Sequence, residues 1–236
     1  MEYTNRSLAR LAYSDAAREL AERLVSTADP SADGWGRGAS LTEDANEILT
    51  AARELLAAAV VADRQRGCSW ADVGNSLEVT RQSAQERFVD ADREFREAVL
   101  FPHRYPADGG PGYTVASYAV EEPDLVRERL DEWVTAIRPP RAGRDEAAPV
   151  TAGLADLQMH VTTERIADLL ALNTMLLEDT LPEGVTTTQA RRHHAELNVR
   201  VLGRIAGERP GDAQAADALT QAQAELEALV GKQAGA

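Results

Sequence analysis

Arg81, Gln82, Ser83 and Gln85 stand almost side by side, and their types suit one task, the reading of base edges in DNA. An arginine guanidinium pairs bidentately with guanine, a glutamine amide pairs with adenine, and a serine hydroxyl adapts to either. Spacing matters as much as type. Such side chains reach bases only from the exposed side of a helix start that enters the major groove. The surrounding chain must therefore supply a bracing helix and a tight turn before them.

The upstream residues have that pattern. Ser69 is a good N-cap, and Asp72 three residues later favours the positive start of a helix. Trp70, Val73 and Leu77 share one face of this short helix. Gly74 falls where the helix approaches its partner closely, and a larger side chain there would push the two apart. Glu78 and Val79 form the turn, with Val79 placed to plug the gap between the helices. Thr80 caps the second helix, and Ala84 and Phe88, one turn apart, face inward.

The segment resembles the helix-turn-helix of region 4 in bacterial sigma factors. It is more similar still to small actinobacterial helix-turn-helix modules, which read roughly Gly-x-Ser-Trp-x-x-Ile-Gly-x-x-Leu-Gly-Val-x-x-Gln-x-Ala-x-x-Arg-Phe. Gly67, Ser69, Trp70, Gly74, Leu77, Val79, Gln82, Ala84, Arg87 and Phe88 match that pattern, and the resemblance covers only about residues 45–98. It implies base contacts by Arg81, Gln82 and Gln85 and phosphate contacts by Thr80 and Arg87. Val73 replaces the usual Ile without consequence. Glu78 stands where the pattern has Gly, and a left-handed residue other than Gly costs about 1 kcal/mol.

Charge complicates the DNA reading. The chain carries a formal −14, whereas a DNA-binding surface is ordinarily basic. Residues 64–88 hold Arg64, Arg66, Arg81 and Arg87 against Asp72, Glu78 and Glu86, a local +1. Downstream, Asp90, Asp92, Glu94 and Glu97 outnumber Arg93 and Arg96. A single copy thus makes few phosphate contacts, and binding to double-stranded DNA calls for a homodimer. The same acidity fits a different class, a protein-interaction module of antitoxin-like or anti-sigma-like kind, in which the two helices dock a protein.

Other chemistry finds little support. Cys68 is the only cysteine, which excludes an intrachain disulfide and a cysteine zinc site. Of His103, His160, His193 and His194, the last two are helix neighbours facing different ways, and His160 with Glu164 makes one helical pair where a metal needs three or four ligands. The acidic pairs Glu121–Glu122, Asp131–Glu132 and Glu178–Asp179 diverge in the same way. No nucleophile triad, phosphate loop or dinucleotide fingerprint is present, so the expectation is a protein without enzyme activity, cofactor or metal. No apolar run approaches the ~20 residues of a membrane span, and Met1–Arg6 lacks the marks of a signal peptide. A cytoplasmic protein without membrane association is expected.

The periodicity predicts an all-α chain: an N-terminal helical domain containing the helix-turn-helix, then a C-terminal helical bundle. Residues 1–100 form the first domain, with a helix over 6–27, a loop carrying Trp35, and a long helix from Ser40-x-x-Glu43 to about Arg66. That long helix offers Ile48, Leu55, Leu56, Ala59 and Val60 as support for the motif. Residues 101–149 read as linker with one helix over 123–138, and Tyr113–Val120 as irregular extended chain. The bundle, 151–232, comprises three helices: a leucine-rich one running from Leu154 to Leu177, one carrying Leu197, Val201 and Ile205, and one with Leu219, Ala222, Leu226 and Leu229 as a seam. The leucine-rich helix suggests dimerisation. A small-molecule effector of the bundle remains open, with no residue marking its place.

Overall fold

The computed structural model describes residues 3–29, 40–101, 117–138, 148–155, 157 and 161–233. Among them every regular element is a helix, so the protein is all-α. Two compact units result, residues 1–103 with 111–159 and residues 104–110 with 160–236. Trp35 and its loop, His103, His160, and most of the two Pro- and Gly-rich segments lie outside the described residues. No described helix is long and apolar enough to cross a membrane.

The first unit contains α1 (Asn5–Thr27), α2 (Ser40–Gln65), α3 (Trp70–Ser76), α4 (Arg81–Leu100), α5 (Ser117–Glu121), α6 (Pro123–Ile137) and α7 (Pro149–Ala155). Thr4 starts α1 by accepting the Ser7 amide at 3.0 Å, while its hydroxyl donates to the Leu157 carbonyl at 2.6 Å. One helix start is thereby fixed to a distant part of the chain. Leu8, Leu11, Val61, Phe95, Val126, Leu130 and Leu154 bury a common core. A smaller cluster of Val60, Val73, Ala84 and Phe88 lies under α3 and α4, with Leu56, Trp70 and Leu77 packed against it. Consecutive residues Val60 and Val61 therefore serve different clusters, which makes α2 the shared wall.

Three expectations change here. The helix over 123–138, read as part of a linker, is α6, and Val126 and Leu130 are fully buried against α1. Tyr3 adds to that join: its hydroxyl donates to Asp124 at 2.8 Å and accepts from Arg127 Nε at 3.1 Å. Burial, reinforced by the Asp124 bond, pushes the phenol up to about 12. The run Tyr113–Val120 ends in α5 rather than extended chain, with Ala119 and Val120 both buried in the core of the first unit. The long leucine-rich helix is two elements, α7 in the first unit and α8 (Val161–Glu178) in the second. Leu154 and Leu157 join the core of the first unit, whereas α8 belongs to the second.

The second unit comprises α8, α9 (Thr187–Glu208) and α10 (Ala213–Gln233), with α9 packed against both others. A capping box of Thr186 and Gln189 opens α9. Ala190, Ala195, Leu197 and Val201 are its buried face, and Ala215 and Ala222 are buried on α10. His193 is half-buried in this unit. Burial, then the positive charge of Arg200, holds its imidazole below the ordinary 6.5, with Arg165 acting the same way and Glu196 and Asp168 opposing. The unfolded chain then takes up a proton near pH 6.5, while the folded one does so only at lower pH. Stability from the neutral imidazole is present above pH 6.5 and is lost as pH falls. Denaturant unfolding at pH 7.5 and 5.5 should show a larger acid loss for the wild type than for His193→Leu. Equal losses in the two proteins would remove His193 from that role.

Candidate nucleic-acid interface

The geometry of α3, the turn and α4 begins at the end of α2. Gly67 takes φ +97°, a left-handed conformation that reverses the chain without steric cost. Ser69 and Asp72 then exchange hydrogen bonds: the Asp72 amide donates to Ser69 Oγ at 3.2 Å, and the Ser69 amide donates to Asp72 Oδ2 at 2.7 Å. Hydrogen bonds from the Ser69 hydroxyl and amide hold the Asp72 carboxyl below its usual range. Val73 is buried, and Trp70 and Leu77 are half-buried beside it.

The turn is closed by the Val79 amide, which donates to the Gly74 carbonyl at 2.9 Å. A Cβ at Gly74 would stand 2.9 Å from the Val79 carbonyl oxygen and 3.2 Å from Arg81 N, both backbone atoms. Glycine at 74 is therefore the condition for close approach, as its position in the sequence suggests. Val79 does not plug the gap: its side chain is 42% exposed, and half-buried Leu77 packs on the cluster instead. Glu78 takes φ +56°, and it is the backbone of Val79, not its side chain, that lies against Gly74. The left-handed turn thus survives without its usual glycine. Glu78→Gly should raise stability by about 1 kcal/mol, measured by urea unfolding, and an unchanged midpoint would show that the turn carries no strain.

Thr80 caps α4 by accepting the Ser83 amide at 3.1 Å, and the two hydroxyls lie 2.9 Å apart. Ala84 and Phe88 are buried, whereas Arg81, Gln82, Ser83, Gln85 and Arg87 are exposed. Their side chains are not equally available. Thr80 and Ser83 are occupied with the cap. Gln82 donates to Glu86 at 2.8 Å, and the Arg87 guanidinium stands 4.9 Å from the Phe88 ring centre. Arg81 and Gln85, one turn apart, make no hydrogen bond or ion pair with the described residues.

Sequence reasoning missed an internal brace. Arg64, counted among the surface cations, lies 4.6 Å over the Trp70 ring and donates to the Cys68 carbonyl. Its Nε is 4.0 Å from Asp92 Oδ2, too long for a hydrogen bond but close enough for attraction. Asp92 is only 4% exposed and also receives Gln65 at 3.4 Å and Arg96 at 3.2 Å. One arginine and one carboxylate therefore tie α2, α3 and α4 together. No local pattern marks such a pair, because 28 positions separate the partners. The acidic run after Phe88 is also less repulsive than its count implies, since Arg93 pairs with Asp90 at 2.8 Å and lies 3.7 Å from Glu97.

Among the described residues no group of three His, Cys, Asp or Glu side chains is placed to hold a metal ion. Compared with protein-family models, curated proteins and solved structures, the chain matches none.

Proposed function

We propose that α3 and α4 are a helix-turn-helix that reads double-stranded DNA, and that the protein is a transcriptional regulator acting as a homodimer. The observation that carries this reading is the start of α4: Arg81 and Gln85 project from its exposed first two turns and have no side-chain partner among the described residues. The capped, glycine-closed turn that aims this helix adds to it. For the second copy, α8 offers Leu170, 61% exposed, and Leu177, 78% exposed, on one helical side.

The test is selection of bound duplexes from a randomised library by the full-length protein, followed by binding titrations at fixed salt. Enriched sequences forming an inverted repeat are expected. Arg81→Ala should then cost ~1–3 kcal/mol on the selected site and relax the base preference at one position of each half. Enrichment that is retained by the Arg81→Ala, Gln85→Ala double variant would sink the assignment.

A second reading has one observation in its favour. The Gln82–Glu86 hydrogen bond sets a carboxylate on the outward side of α4, next to a chain of formal charge −14. Such a face suits a basic protein partner, in the manner of an acidic interaction module. Failure of the duplex selection with a folded protein would favour it.

A further inference from the structure

The first unit contains a half-open cleft of about 280 Å³ bounded by α1, α6 and α7. Leu130 and Leu154 form its floor, both nearly inaccessible to solvent, and Val134 continues the apolar surface. Tyr13 of α1 and Trp133 of α6, each half-buried, contribute aromatic walls. Arg10 and Arg138 stand on its edge, and among the described residues no carboxylate lines it. Arg18, Arg93, Arg127, Arg129 and Arg165 all have carboxylate partners within 3.7 Å. Arg10 instead donates to the Ser14 hydroxyl and stacks 5.0 Å from the Tyr13 ring. Arg138 makes no hydrogen bond or ion pair with the described residues.

Gly153 supplies the second observation. It lines the cleft from α7, and a Cβ built there would meet nothing within 4 Å. Gly153 is exposed, so a larger side chain at this position would stand in the mouth of the cleft without a clash. A cavity of about 150 Å³ lined by aliphatic and aromatic side chains accepts benzene, so this one has room for a fused two-ring system.

We propose that the cleft binds a small aromatic carboxylate, its rings between Tyr13 and Trp133 and over the Leu130–Leu154 floor, its carboxylate toward Arg10 and Arg138. A singly charged group suits the site better than a phosphate dianion, whose hydration the aliphatic floor cannot replace. Arginine matches a carboxylate bidentately while stacking on an aromatic ring. The inference does not rest on the DNA reading, and its test uses no DNA.

The probe is 2-naphthoate, titrated calorimetrically into the full-length protein, with the neutral 2-naphthamide as comparator. One-to-one binding with Kd below about 1 mM is expected, with the amide at least tenfold weaker. Gly153→Leu should reduce naphthoate affinity at least tenfold while helicity and melting temperature are kept. The Arg10→Gln, Arg138→Gln variant should bring acid and amide to similar affinity, and this surface variant decides the matter if Gly153→Leu does not fold. No saturable binding of naphthoate, equal binding of acid and amide by the wild type, or wild-type affinity in folded Gly153→Leu would each overturn the proposal.

Discussion

Gly74→Val is expected to destabilise the first unit by about 3 kcal/mol and to eliminate the DNA binding proposed for α4. The new Cβ alone would lie 2.9 Å from the Val79 carbonyl oxygen. That atom cannot retreat freely, because the Val79 amide is held to the Gly74 carbonyl at 2.9 Å and Thr80 is fixed by its cap on Ser83. Relief therefore requires α4 to move as a body, which opens the cluster of Val60, Val73, Ala84 and Phe88. Replacing glycine within a helix ordinarily gains up to about 1 kcal/mol from backbone entropy, too little to offset a backbone clash and lost packing. Gly153→Ala is the matched control. Its Cβ meets open space, so it should be neutral or mildly stabilising. Chemical denaturation of both variants checks the argument, and a Gly74→Val protein as stable as the control would show that the turn adapts.

The second large effect is at Asp131, 7% exposed on α6. Its Oδ1 accepts the amides of Val150 at 2.6 Å and Thr151 at 3.2 Å, and its Oδ2 accepts the Thr151 hydroxyl at 2.6 Å. Arg127 completes the group, donating to the Thr151 hydroxyl at 2.7 Å and lying 3.8 Å from the carboxylate. The helix α7 begins with Pro149, which has no N–H, so Val150 and Thr151 carry the first free donors of its N-terminus. Asp131 thus acts as an N-cap supplied by another helix. A seven-residue helix does not persist alone, and this carboxylate is what docks it. Asp131→Ala leaves two amides and the Thr151 hydroxyl without their acceptor, whereas Arg127 keeps Glu128 and Tyr3, and it should cost about 3 kcal/mol, the upper range for an unsatisfied buried donor. Asp131→Asn keeps one acceptor and should cost less. Urea midpoints of the two variants test this ordering, and a loss under about 1 kcal/mol for the alanine variant would mean that water replaces the carboxylate.

Much of the helix content was legible because it is encoded locally. The Ser69–Asp72 box, the Thr80 cap, the inward Ala84 and Phe88 and the closeness demanded at Gly74 depend on neighbours within a few residues, and the structure places each as the pattern implies. The exposure of Arg81, Gln82, Ser83 and Gln85 at the start of α4 follows from the same local pattern. Val79 shows where this logic stops. An apolar residue in a turn invites burial, but the cluster under α3 and α4 is covered by Leu77 instead, and the hydrophobic pattern does not say which of the two takes that place.

Sequence by itself determined most of the helices, the caps at Ser69 and Thr80 and the pairing of α3 with α4, since hydrogen bonds between near neighbours and a 3.6-residue period set these. Tertiary structure alone decided which helices share a core. Periodicity shows that a face is apolar without naming its partner, so α6 read as part of a linker and α7 and α8 as one helix. Arg64 with Asp92, Asp131 with Val150 and Thr151, and the arginine-edged cleft beside Gly153 likewise join residues remote in the chain. Long-range packing brings such groups together, and no local spacing records it.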